Sequence, residues 1–212
     1  MSFIVSSVMT AQANEFLRID SKPSIRFTLS SRVTNNTTNA TISFEEDGDQ
    51  KLPPGGYVSV NGIALPVTPL KYGFWYRAQI PKSKKYILRY SIATGQPVTQ
   101  YIFNERQFIP KMPNLVSRGK GLVMEFSGAT LVPGETIFSD IGDPSEGSGR
   151  WSETLRPAAV ENKLIYHAAQ LSNVRLGQSI MYVGVTLREY FPNDRITFIQ
   201  AYGDEQPVRV ID

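Results

Sequence analysis

One histidine and no cysteine leave this chain little of the usual chemistry of active sites. The absence of cysteine removes disulfides, thiolate metal ligands and thiol nucleophiles. A single imidazole, His167, rules out a multi-histidine metal centre. His167 sits in Leu164-Ile165-Tyr166-His167, inside an expected strand, where a structural histidine satisfied by its neighbours is the expectation. To act as a general base it needs a positioned nucleophile, and the sequence supplies none. Gly-x-Ser-x-Gly is absent. Its nearest approach, Gly147-Ser148-Gly149-Arg150, reads as a loop without the strand-to-helix elbow that exposes a nucleophilic serine. Gly119-Lys120-Gly121 precedes a strand, where a phosphate cradle needs a helix.

Carboxylates are the remaining reactive groups. Glu125, Asp140, Asp143, Glu146 and Glu153 are available for a glycosidase-type acid pair, but no two of them are singled out by spacing. Two acidic clusters, Glu45-Glu46-Asp47-x-Asp49 and Asp140-x-x-Asp143-x-x-Glu146, raise the question of calcium. Neither begins with aspartate and closes with glutamate at the twelfth position of a bent loop, so both read as polar turns. Catalytic residues, bound metal and cofactor are therefore all expected to be none.

Surface recognition is the chemistry left. Tyr72-Gly73-Phe74-Trp75-Tyr76, flanked by Lys71 and Arg77, is the densest aromatic patch, and Trp151 beside Arg150 is a second candidate anchor. Two readings compete at Tyr72, Phe74, Trp75 and Tyr76: sheet core, or an exposed anchor for a protein or glycan partner. The basic residues Lys82, Lys84, Lys85 and Arg89 form too narrow a cluster for nucleic acid, against a net charge of only +3. Lysines beside a strand also discourage edge pairing. Asn35, Asn36 and Asn39 head Asn-x-Thr triplets, which bear glycans only in a eukaryotic secreted protein.

The elements that must carry these residues are strands. Ile25, Phe27 and Leu29 alternate with Arg26, Thr28 and Ser30, a half-buried strand with period two. Residues 34 to 38 look turn-like, and Ile42 and Phe44 resume the alternation. Pro53-Pro54-Gly55-Gly56 breaks the chain before a short strand at Tyr57 to Val60, and Asn61-Gly62 signals a tight turn. Trp75 to Ile80, Tyr86 to Ile92 and Val98 to Phe103 follow, the last two joined at Thr94-Gly95. In the second half Leu122 to Phe126, Lys163 to Tyr166, Ile180 to Tyr190, Arg195 to Tyr202 and Val208 to Ile211 read as strands. Gly184 suggests a bulge or a close backbone approach. Helix is expected only as single turns at Ala158 to Asn162 and Ala168 to Leu171.

The proline-bearing segment Asn104 to Pro113 is the predicted boundary. The expected fold is all-β: two tandem immunoglobulin-like β-sandwich domains, residues 1–106 and 107–212. At fold level the layout resembles immunoglobulin-like modules of exported bacterial, adhesin and chaperone-like proteins, which says nothing about a site. Met1 to Ala13 allows two readings, a first strand or a shortened export signal ending at Ala11-Gln12-Ala13. No apolar run is long enough to span a bilayer as a helix. The expected function is a non-catalytic exported or surface-associated structural or binding protein, periplasmic or extracellular. Its partner is a protein or a second copy, with a glycan as the other option. A virus or phage structural protein and a glycan-active enzyme with an unrecognised carboxylate pair are the alternatives.

Overall fold

The structure, a computed structural model, describes residues 16–20, 22–32, 35–46, 48–71, 73–128, 130–131, 135–142, 153–155, 158–160 and 162–212. Tyr72, Trp151, Asp47, Asp143, Glu146, residues 1–15 and residues 147–150 lie outside the described residues, as does the side chain of Glu153.

The chain is predominantly β-stranded. Its first half carries β1 (Ser24–Arg32), β2 (Thr37–Glu45), β3 (Asp49–Gln50), β4 (Tyr57–Val60), β5 (Ile63–Ala64), β6 (Val67–Leu70), β7 (Gly73–Pro81), β8 (Lys85–Ser91) and β9 (Thr99–Asn104). The second half begins with β10 (Phe108–Pro110), β11 (Leu115–Ser117), β12 (Leu122–Gly128), β13 (Thr136–Gly142) and β14 (Glu153–Leu155). After β15 (Ala158–Val160) and β16 (Lys163–Tyr166) come the short helix α1 (Ala168–Leu171) and two long strands, β17 (Gly177–Phe191) and β18 (Ile196–Ile211). A 3-10 turn, Pro192–Asp194, joins the last two.

Three sheets result. The largest has ten strands along the path β14-β13-β17-β18-β1-β2-β3-β7-β6, with β11 also on β18. Two four-stranded sheets run β5-β4-β8-β9 and β10-β12-β16-β15. Asn61 and Gly62 take positive φ of 50° and 81° and close β4 onto β5, the tight turn expected of an Asn-Gly pair. The Asn61 carboxamide then ties the turn to β8, accepting from the Ile87 amide at 2.7 Å and donating to the Lys85 carbonyl at 3.2 Å.

Inward-facing residues gather into two hydrophobic clusters. The first joins Ile25, Phe27 and Leu29 of β1 and Ile42 and Phe44 of β2 to Val58, Tyr86, Leu88 and Phe103 of the small sheet. It also takes Ile196 and Phe198 from β18. Phe27, Phe103 and Phe198 form a ring triad, with centroids 5.2, 5.1 and 4.4 Å apart. The second cluster joins Phe108, Met124, Phe126, Leu164 and Tyr166 to Met181, Val183, Val185, Val208 and Val210. Each buried large side chain contributes about 1.5–3 kcal/mol of transfer free energy.

The last strand therefore serves both clusters. Residues 196–203 of β18 run parallel to β1, residues 209–211 run parallel to β11, and β17 pairs antiparallel with residues 196–210. This corrects the reading of Arg195 to Tyr202 and Val208 to Ile211 as separate strands. Gly203 and Pro207 mark a change of partner, not an end. Neither β1 nor β11 reaches residues 204–208, and a strand tolerates proline where one flank has such a gap.

Two further readings are corrected, and the predicted boundary segment carries a strand. Ala158–Val160 is strand β15, held by Lys163, Leu164 and Ile165 of β16, so pairing overrides the helical propensity of its alanines. The segment Asn104 to Pro113, read as the boundary, contains β10, in which Phe108 and Pro110 are buried and paired with β12. Gly184 is not bulged. Its register with Gly203 is unbroken, and the Phe138 ring occupies the space where a side chain would stand, 2.5 Å from an added Cβ.

Candidate functional site

The aromatic patch divides between core and surface. Strand β7 alternates, with Tyr76 and Ile80 buried while Arg77 and Gln79 face out. Tyr76 belongs to the first cluster, edge-on to Phe44 at 5.8 Å. Its hydroxyl accepts the Leu52 amide at 2.7 Å. Burial raises its pKa, partly offset by that hydrogen bond. Trp75 shares the outward parity, is half-buried, and donates its indole N–H to Asp49 Oδ2 at 2.8 Å. Phe74 is half-buried at the sheet margin. The Lys51 ammonium lies 5.8 Å from its ring centroid and 5.2 Å from that of Phe16. Such cation–ring contacts are worth about 0.5–1 kcal/mol at exposed sites.

Beside these rings the sheet ends. β6 is its last strand, bonded to β7 in the register Val67 to Tyr76, Thr68 to Trp75, Pro69 to Phe74 and Leu70 to Gly73. Val67 and Leu70 are 38% and 37% exposed. Two prolines nearby, Pro66 and Pro69, hid this strand from the alternation pattern, because proline demotes a run to edge or loop.

The acids of the first cluster do not converge. Glu45 pairs with Arg26 at 3.1 Å, Glu46 with Arg18 at 3.0 Å, and Asp49 holds Trp75. Among the described residues no group of three or more His, Asp or Glu side chains is placed to hold a metal ion. Glu125 pairs with Lys111 at 2.9 Å, and that hydrogen bond lowers its pKa. His167 lies just past β16 and is exposed, so the expectation of a histidine inside a strand is corrected. Its backbone amide donates to Gln170 Oε1 at 2.9 Å at the start of α1. Of the basic cluster, Lys82 donates to the Arg32 carbonyl at 2.6 Å and Arg89 to Gln100 at 2.7 Å.

A buried polar network, unmarked by any motif, stands where the chain crosses from β9 to β10. Gln200, 2% exposed, accepts from the Arg106 amide and from the Tyr202 hydroxyl, both at 2.8 Å, and donates to the Asn104 carbonyl at 3.2 Å. Arg106 also pairs with the buried carboxylate of Glu135 and donates to the Thr130 carbonyl at 2.6 Å. Burial and the nearby Glu105 push the Tyr202 pKa far up. An amide in the inward series Ile196, Phe198, Gln200, Tyr202 was the available signal, since a buried amide must find partners.

The sequence matches no protein-family model and no curated protein. Fold and surface together define a predominantly β-stranded protein. No helix among the described residues is long and apolar enough to cross a membrane.

Proposed function

We propose that this chain is a non-catalytic structural or binding protein of the cell surface or an exported compartment, with two immunoglobulin-like sandwich units that share the β17–β18 hairpin. Its contact is with a protein, most simply a second copy, made at the open edge of β6 and the aromatic side chains next to it. The observation that carries this reading is the juxtaposition at that edge. A terminal strand bonded to β7 presents exposed Val67 and Leu70 beside half-buried Phe74 and Trp75. A free strand edge accepts another strand through backbone hydrogen bonds, and neighbouring side chains set specificity. Aromatic anchors each contribute about 2 kcal/mol or more when desolvated by a partner. Isolated surface ion pairs contribute about 0–1 kcal/mol.

The separate pairing of Glu45, Glu46, Asp49 and Glu125 and the exposure of His167 support a role without catalysis. Two clusters, each drawing residues from strands of two sheets, support the two-unit reading. The test is sedimentation equilibrium of the full chain and of Trp75→Ala and Val67→Glu. Concentration-dependent association that both changes weaken, in chains with unchanged circular dichroism, supports the reading. Association that survives both removes the edge, and a loss of stability alone assigns Trp75 to structure.

A further inference from the structure

Phe138 and Tyr182, two large rings of the second half, belong to neither hydrophobic cluster. On β13, Ile137 and Ile141 pack with the second cluster and Ser139 is buried, so Phe138 and Asp140 face outward. On β17, Met181, Val183 and Val185 turn inward, which puts Tyr182 and Gly184 on the outer face. Phe138 and Tyr182 are half-buried because each ring tip occupies the place of a missing side chain. An added Cβ would fall 2.5 Å from Phe138 Cζ at Gly184 and 2.0 Å from the Tyr182 hydroxyl oxygen at Gly203. Gly184 and Gly203 stand directly opposite each other. The ring centroids are 5.7 Å apart, with planes inclined at 40°.

Polar groups of both kinds surround this aromatic floor. Asp140 is the cross-strand partner of Tyr182 on β13, and Glu205 is its partner on β18. Arg32, paired with Gly203 in the β1 register, donates to Glu205 at 2.6 Å. Burial raises the Tyr182 pKa, Asp140 and Glu205 raise it further, and Arg32 opposes them. The phenol thus stays protonated and able to donate at neutral pH. Two residues along the strands from Gly184 and Gly203, the next row on the same face runs through Thr186, Ala201, Ser30, Asn39 and Gln79. These are short or polar side chains, and four strand spacings of about 4.8 Å make the row about 19 Å long.

We propose that this outer face binds a neutral, pyranose-based oligosaccharide, with Phe138 and Tyr182 as its floor. A pyranose ring has an apolar C–H face, which gains by covering an aromatic surface. It also carries a girdle of hydroxyls, each donor and acceptor. The site offers the matching parts: aromatic floor, carboxylate acceptors, and guanidinium and phenol donors. Two carboxylates against one guanidinium disfavour a phosphate or sulfate group. The polar row gives room for several sugars in line, whereas a protein hot spot calls for a deep, desolvated pocket around its anchor. The aromatic floor is separate from the β6 edge, since neither ring lies on β6 or β7, and the polar row reaches β7 only at Gln79.

The experiment is native gel electrophoresis of the full chain in gels containing hydroxyethyl cellulose, mannan, xylan or soluble chitosaccharide, with polygalacturonate as the charged control. At least one neutral polysaccharide should retard the chain. Tyr182→Ala, checked for unchanged circular dichroism, should weaken that binding about tenfold or more, and Asp140→Asn, which leaves both rings in place, about threefold to tenfold. Should Tyr182→Ala fail to fold, Asp140→Asn and Glu205→Gln decide. Retardation by polygalacturonate alone overturns the proposal, as does no retardation by any neutral polysaccharide. So does binding unchanged in folded Tyr182→Ala, or capture of a protein at this face by a chain that no polysaccharide retards.

Discussion

Replacing Phe198 with alanine tests whether the last strand belongs to the first cluster as well as the second. Phe198 is 1% exposed and packs on Phe27 at 5.1 Å and on Phe103 at 4.4 Å. Removing a ring from such a site costs about 3–5 kcal/mol, transfer and cavity effects together. Its flat contact with two rings leaves little room to collapse, so we take about 4 kcal/mol. That is a large part of the roughly 5–15 kcal/mol that holds a typical domain folded. At about 2–4 °C per kcal/mol for a chain of this size, the melting midpoint should fall by about 8–16 °C. The reporter is Trp75, which sits in the first half and is the sole tryptophan once Trp151 is changed to phenylalanine. Urea unfolding followed by its fluorescence should show the loss, although the altered residue is more than a hundred positions away in sequence. A Trp75 transition that moves by less than about 1 kcal/mol would refute the packing of β18 against β1.

Arg106→Met should cost about 3 kcal/mol, because it leaves the buried Glu135 carboxylate without its guanidinium. Adding Glu135→Gln should return part of that loss, as a double-mutant cycle in urea will measure. Stability should fall at high pH. Burial pushes Tyr101 and Tyr166 up to about 12 and Tyr202 further, whereas an unfolded tyrosine titrates near about 10. The unfolded chain then binds fewer protons than the folded one above about pH 10, so stability is full below that pH and lost between about 10 and 12. A melting midpoint that stays constant across that window would contradict the burial of these phenols.

Alternation made most strands legible. Ile25, Phe27 and Leu29, or Tyr86, Leu88 and Tyr90, can only face one way, because a strand turns successive side chains to opposite faces. Asn61-Gly62 was equally readable, since few other pairs accept two positive φ values. What stayed hidden was set by partners distant in sequence. Nothing local to Ile196–Ile211 says that one strand pairs with β1 at one end and β11 at the other. Gly203 and Pro207 even argue for a break. Ala158–Val160 became strand because β16 lies beside it. The patch at Phe74, Trp75 and Tyr76 was visible in composition, yet the division of Tyr76 to the core and Trp75 to the face followed from the register. Phe138 and Tyr182 escaped notice for a similar reason. They are ordinary strand aromatics until Gly184 and Gly203 are known to lie beneath them.

The shared strand also bears on how the protein is made. Chains leave the ribosome from the N-terminus at about 5–20 residues per second, and about 90 residues separate the end of β9 from the start of β18. For about 5–20 s the nascent first half therefore holds β1 with one flank unpaired and Phe27 missing the ring that later covers it. A chaperone that covers nascent apolar strands has that interval in which to act, and slow codons between β9 and β18 would lengthen it.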